Sequence, residues 1–320
     1  MVEERVHISE KERFPDRGQK MRRRYTTGIM VIWLRELKRF WRDTPRRIGA
    51  FFQPIIYLFL LGTGLQSAFK VFGSGTTVKY VTFMFPGILG MTVLFTSMFS
   101  AISILWDREF GFLKEVLVSP VPRSSVAIGK IFGGATTAVM QAAVFMILMF
   151  IPSIYGFSLS TLTKAILLLP VAFLLALGLT SLGVAIAARM ESFEGFPIVM
   201  NFILLPLFFL SGAMFPLQGL PEWLEILTKA NPLSYGVDLL RGIALKGVNL
   251  SSAQASLAGK IPGEVLSKIP PDVLQKIKAS APQVPKLQSQ IYPAWLDVVV
   301  MVGFVVVMMA IAVRQFSKQD

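Results

Sequence analysis

Few of the side chains that do covalent or metal chemistry occur in this sequence. Cysteine is absent, and the one histidine, His7, stands in a polar N-terminal tail. Thiolate metal sites, Cys nucleophiles, disulfides and Ser-His pairs are thereby excluded. No GxxxxGK[ST] loop for nucleotide phosphates occurs either. What stands out instead is the charged run Asp107-Arg108-Glu109-Phe110-Gly111-Phe112-Leu113-Lys114-Glu115-Val116-Leu117, closed by Ser119-Pro120-Val121-Pro122-Arg123. On a helix Phe110, Leu113 and Leu117 share a face, while Asp107, Arg108, Lys114 and Glu115 lie largely off it. The prolines stop that helix, because proline lacks an N–H and disfavours a helical residue before it. Such a segment is either a plain connector or a docking element, with an apolar anchor and charged rims that fix register on a soluble partner.

The remaining sequence must hold that segment in place. With 53% of residues hydrophobic and only 16% charged, against about 25% charged in soluble domains, the chain reads as an all-α, polytopic membrane protein. Six apolar runs, at 48–69, 81–105, 131–152, 165–188, 196–212 and 294–313, are each long enough to cross about 30 Å of hydrocarbon. Before them, Met30, Trp33, Leu34, Leu37, Phe40 and Trp41 recur at helical spacing, with Arg35, Lys38, Arg39 and Arg42 on the other face. That pattern predicts an amphipathic helix over 28–47, lying in the membrane interface.

Fourteen Lys and Arg precede Ile48 and supply much of the +13 net charge. The positive-inside rule then puts both termini in the cytoplasm, and the basic excess reads as attraction to anionic lipid rather than to nucleic acid. The expected division is a basic tail and interfacial helix at 1–47, five spans with short outer helices at 48–245, an outer loop at 246–293 and a last span with its tail at 294–320. Within the outer loop, Glu264–Ile269 returns eight residues later as Asp272–Ile277, predicting two short amphipathic helices.

The deep interior of the spans offers polar groups at Gln53, Gln141 and Asn201 and no ionisable pair that would bind a coupling ion at midplane. If the chain pumps anything, the energy comes from a partner. These three side chains are candidates for lining a pathway whose largely apolar walls suit amphipathic cargo. No metal site is expected.

The 107–123 segment resembles the signature of type-2 ATP-binding-cassette (ABC) exporter permeases, with the daunorubicin-exporter and nodulation-factor-exporter permeases as the nearest subgroup. A second match runs through Leu210-Ser211-Gly212-Ala213-Met214-Phe215-Pro216-Leu217, Leu220-Pro221-Glu222-Trp223-Leu224 and Asn231-Pro232-Leu233-Ser234-Tyr235-Gly236-Val237-Asp238-Leu239-Leu240-Arg241. The resemblance covers nearly the whole chain and departs at 246–293.

It implies six spans, a cytoplasmic coupling helix between spans 2 and 3 and re-entrant outer helices between spans 5 and 6. Asp107, Arg108, Glu109, Phe110, Gly111, Leu113, Lys114, Glu115 and Leu117 would form the coupling helix. Gly212, Pro216, Asn231, Pro232, Tyr235, Asp238 and Arg241 would form an outer gate. It further implies a half-transporter: two such chains, as a homodimer, with two copies of a separate ATPase that carries ATP and Mg2+, in a prokaryotic plasma membrane. A drug-like, lipid or glycolipid substrate fits the apolar walls. A polysaccharide or O-antigen exporter, or a membrane assembly or sensor protein, are the alternatives.

Overall fold

The computed structural model describes residues 17–64, 80–110, 121–152, 154–214, 217, 220–247 and 290–318. Every regular element among them is helical: α1 (Arg17–Arg42), α2 (Thr44–Ile56) continued by a π-helical turn (Tyr57–Leu61), α3 (Tyr80–Ser100), α4 (Ile102–Glu109), α5 (Arg123–Met146), α6 (Leu159–Arg189), α7 (Gly195–Phe209), α8 (Glu222–Ala230), α9 (Pro232–Ala244) and α10 (Ala294–Ser317). The expected helical repeats at 264–277 fall outside the described residues.

Among the described residues, five helical stretches are long and apolar enough to cross a membrane: Arg47–Gly64, Val81–Glu109, Arg123–Phe150, Leu159–Arg189 and Ala294–Ser317. The run expected to be a fifth span at 196–212 is the shorter α7, with 15 residues, about 22 Å at 1.5 Å per residue. Pro206 lies within it, and just beyond its end Gly212 takes φ +70°, a left-handed turn that a side chain would strain. In the first span Pro54 cannot donate to the helix ladder, and the π turn follows directly.

Around α3 the other helices assemble. In its span 83% of the best apolar stretch is buried, against 17% for the first and last spans, so α3 is the axis and those two present apolar surface outward. Helices α5 and α6 pack on α3 and on each other, α10 lies on α6, and α9 wedges between α3, α6 and α10. Contacts of Asp107 with Lys130, and of Arg108 with the end of α6, gather α4, the start of α5 and the end of α6 at one end of the bundle, called the basic end below.

Helix α1 differs from the expected interfacial helix in two ways. It begins at Arg17 rather than Gly28, since Arg, Lys, Met and Gln are good helix formers. It is also clamped to the protein: Gly28, Ile32, Glu36 and Phe40, spaced four apart, make one buried stripe packed on α5. Met30, Val31, Leu34 and Trp41 stay exposed. The close approach depends on a Gly129-xxx-Gly133 pair on α5. A Cβ at Gly129 would stand 2.8 Å from Ile32 Cβ, and one at Gly133 2.6 Å from Glu36 Cβ.

Candidate functional site at the base of the 107–122 segment

Among the described residues of the candidate coupling segment, Asp107 is the most heavily engaged side chain. It is 2% exposed and accepts from Lys130 Nζ at 2.5 Å, Arg35 Nη2 at 2.6 Å, Arg35 Nη1 at 3.2 Å and Arg39 Nη1 at 3.3 Å. Lys130, also buried, donates further to Glu36 Oε1 and Ser103 Oγ, each at 3.1 Å. Three cations thus enclose two carboxylates. In low dielectric such groups are stable only together, because each left alone would face an uncompensated desolvation cost. The cluster fastens α1 to the last turn of the second span and the second turn of the third.

Arg108 fastens the same base from the other side. Its guanidinium donates to Met190 O at 2.6 Å and Ala188 O at 3.3 Å, satisfying carbonyls at the end of α6 that have no partner within their own helix. Trp106 stacks on Phe110 at 5.1 Å and meets Phe193 edge-on at 5.0 Å. Glu109 and Phe110 then turn outward, with Phe110 72% exposed. So the expected rim residues divide: Asp107 and Arg108 face inward, while Glu109 is presented at the surface beside Phe110, the first residue of the expected apolar anchor. Gly111, Leu113, Lys114, Glu115 and Leu117 lie outside the described residues.

At the opposite end, the second expected motif forms a joint between the end of α7 and the start of α9. Asn231 caps α9 by accepting from Leu233 N at 3.0 Å, while its Nδ2 donates to Leu207 O at 2.7 Å. Pro232 occupies the first turn, where its missing N–H costs nothing. Ser234 Oγ donates to Leu210 O at 3.1 Å. Asp238 and Arg241, three residues apart on α9, each reach well beyond their own turn. Asp238 accepts from Ile291 N at 2.9 Å and Tyr292 N at 2.8 Å, holding the entry to the last span. Arg241 donates to Gly212 O at 2.5 Å and lies over the Phe83 ring at 4.5 Å. Tyr235 stacks on Tyr292 at 5.1 Å and donates to Lys229 O. Burial raises the Asp238 carboxyl above its ordinary value, against the pull of the two amides and of Arg241. Pro216 lies outside the described residues.

The three candidate lining residues do not share one environment. Gln141 is buried within the single chain, its Nε2 lacking a hydrogen-bond partner, whereas Gln53 and Asn201 are exposed on α2 and α7, which both pack on α3.

Several engaged residues escaped sequence reasoning. Helical spacing alone puts Arg35 and Arg39 on the charged face of an interfacial helix and Lys130 at a span end, and it singles out no role for Glu36. The signal available was Glu36 on the stripe Gly28-Ile32-Glu36-Phe40, and Lys130 inside the small-residue pair of α5. Asp297, three residues into the last span, was passed over altogether. It is fully buried, and its Oδ2 accepts from Gln290 Nε2 at 3.1 Å. Among the described residues no group of three or more His, Cys, Asp or Glu could hold a metal ion.

Residues 27–245 match the ABC-2 type transporter family. Among curated relatives, a putative transport permease ycf38 of Cyanophora paradoxa is 32% identical over 64% of this chain and 71% of its own length. Nodulation protein J of Rhizobium leguminosarum bv. trifolii is 29% identical over 62% of this chain and 73% of its own. A probable multidrug ABC transporter permease, YbhR of Escherichia coli (strain K12), is 26% identical over 56% of this chain and 48% of its own.

Proposed function

The chain belongs to the ABC-2 type transporter family, and from that premise we propose that it is the membrane subunit of an ATP-driven exporter, worked by a separate ATPase docked on the 107–122 segment. The observation that carries this reading is the two-sided anchoring of the segment's base. Asp107 ties it to α1 and α5, Arg108 ties it to α6, and Glu109 with the exposed Phe110 projects beyond. A force applied to the projecting part is therefore delivered to four helices at once. That suits a lever better than a loop that merely joins two spans.

In this reading the basic end faces the cytoplasm, α7 completes a sixth crossing, and two such chains meet through surfaces that the monomer leaves apolar and exposed. Phe52 and Ile56 on α2, and Phe202 and Ile198 on α7, are such surfaces. ATP and Mg2+ sit on two copies of the partner ATPase, and their binding moves both coupling segments between inward- and outward-facing states. Gln53 and Asn201, exposed beside α3, stand where a pathway between the chains would run. The cargo class is an amphipathic drug, lipid or glycolipid, in the plasma membrane of a prokaryote.

Co-purification tests the reading. The tagged chain should retain an ABC ATPase, and ATP hydrolysis should accompany the complex and not the chain alone. Purification without any ATPase, together with transport unaffected by ATP depletion, would overturn it.

A further inference from the structure

Two clefts on the α3 face meet at one residue. The larger, about 570 Å³, opens at the basic end beside the ionic cluster, where Arg39, Arg42 and Asp43 face Ser103, Trp106 and Phe193. The smaller, about 180 Å³, runs between α2 and α3 with a mainly apolar wall that includes Pro54, Met91 and Phe95. Phe99 lines both. Phe99 thus stands between a basic chamber at the basic end and an apolar groove along α3.

We propose that the two clefts form one binding site for a membrane amphiphile with an anionic, phosphate-type headgroup, its head between Arg39 and Arg42 and its chain along Met91 and Phe95. The charge balance favours an anion. Counted together, the larger cleft and the adjoining cluster hold four cations, Arg35, Arg39, Arg42 and Lys130, against three carboxylates, Glu36, Asp43 and Asp107. Guanidinium groups pair with phosphate oxygens through two parallel hydrogen bonds. The Arg39 guanidinium also lies 5.8 Å from the centre of the Trp106 ring, within cation–π range.

The site touches the coupling base directly. Arg39 holds Asp107 by the longest of that carboxylate's four contacts, 3.3 Å. A headgroup that engages Arg39 competes for this contact first and leaves Lys130 and Arg35 in place. Occupancy of the cleft is thus sensed at Asp107. In naming a substrate class the proposal rests on the permease reading; the binding step does not.

Spin-labelled phosphatidic acid and phosphatidylcholine, added to the full chain in phosphatidylcholine nanodiscs, read the binding step. The phosphatidic acid probe should be enriched among immobilised lipids, and Arg42→Gln should weaken its association roughly fivefold, as expected for one basic residue at a membrane surface. Lys38→Gln removes the same charge from the exposed side of α1 and should change it less than twofold. Absence of any phosphatidic acid preference, or equal loss in both variants, overturns the site in favour of diffuse attraction.

A second arm adds the partner ATPase. Hydrolysis that rises as phosphatidylglycerol replaces phosphatidylcholine, and rises less in Arg42→Gln, supports a transported substrate. Binding with no effect on hydrolysis assigns the site to a resident bilayer lipid and overturns the substrate class. Failure of the ATPase to associate at all is a failure of the permease reading and leaves the binding result standing.

Discussion

Lys130 donates to Asp107 across 2.5 Å, with both side chains 2% exposed. One residue comes from the start of the third span and the other from the end of the second, and both lie under a helix that the amphipathic pattern assigned to the lipid surface. This pair sets the frame of the basic end, and its surroundings predict an asymmetry. Asp107→Asn leaves Lys130, Arg35 and Arg39 facing Glu36 alone, whereas Lys130→Met leaves Asp107 with two arginines and strands only Glu36. Breaking a buried ionic group costs about 3–5 kcal/mol. Thermal unfolding in nanodiscs should show the larger loss for Asp107→Asn. A larger loss for Lys130→Met would contradict the charge balance drawn here.

The approach of α1 to α5 should depend on Gly133. A Cβ there meets Glu36 Cβ at 2.6 Å, so Gly133→Ala should destabilise by about 1–3 kcal/mol, as overpacking does. Gly303 in the last span has no atom within 4 Å of a Cβ. Gly303→Ala should be neutral or mildly stabilising, since alanine favours a helix by up to about 1 kcal/mol. Equal effects of the two substitutions on the unfolding midpoint would remove the close-approach account.

At the opposite joint, Asp238 carries a pH dependence whose sign is fixed. Burial raises its carboxyl value in the folded state, so the native protein binds the proton more tightly than the unfolded chain. The associated stability is full below the ordinary carboxyl value and is lost as pH rises through the raised one. Stability contributed by this joint should therefore increase on acidification across that window, and Asp238→Asn should flatten the slope. A wild-type slope of opposite sign that vanishes in Asp238→Asn would show that the amides of Ile291 and Tyr292 outweigh burial.

Topology has a direct readout, because the chain has no cysteine to remove. Phe157, 89% exposed, follows the far end of the third span, and Glu109 is exposed at the basic end. Phe157→Cys should react with an impermeant maleimide in intact cells, and Glu109→Cys only after the cells are opened. The reverse pattern would invert the proposed orientation.

What the sequence made legible follows from which forces act locally. Apolar runs and helical spacing are read along the chain, so the long spans and the existence of α1 were visible. The pairing of Asn231 and Pro232 at a helix start was visible for the same reason. The ionic cluster was not, since Arg35, Glu36, Asp107 and Lys130 come from three separate segments and each has an innocent local reading. Lys130 reads locally as a span-end residue, and Arg35 and Arg39 as the charged face of an interfacial helix. Only Glu36 on an otherwise apolar stripe betrayed a tertiary partner. The assignment of Asp107 and Arg108 to an exposed rim likewise came from helical spacing alone, which cannot reveal that α1, α5 and α6 close around them.

We propose that ATP, hydrolysed by a separate subunit, drives cargo through this chain. This is tested most directly in inside-out vesicles containing the chain with and without its partner ATPase, following uptake of a fluorescent amphipathic probe. Uptake should require both ATP and the ATPase, survive a protonophore, and fall when Phe110→Ala removes about 1–3 kcal/mol of docking energy. Arg189→Ala, at the other turn of the basic end, should leave it unchanged. Uptake that proceeds without any ATPase and collapses with the proton gradient would contradict the account.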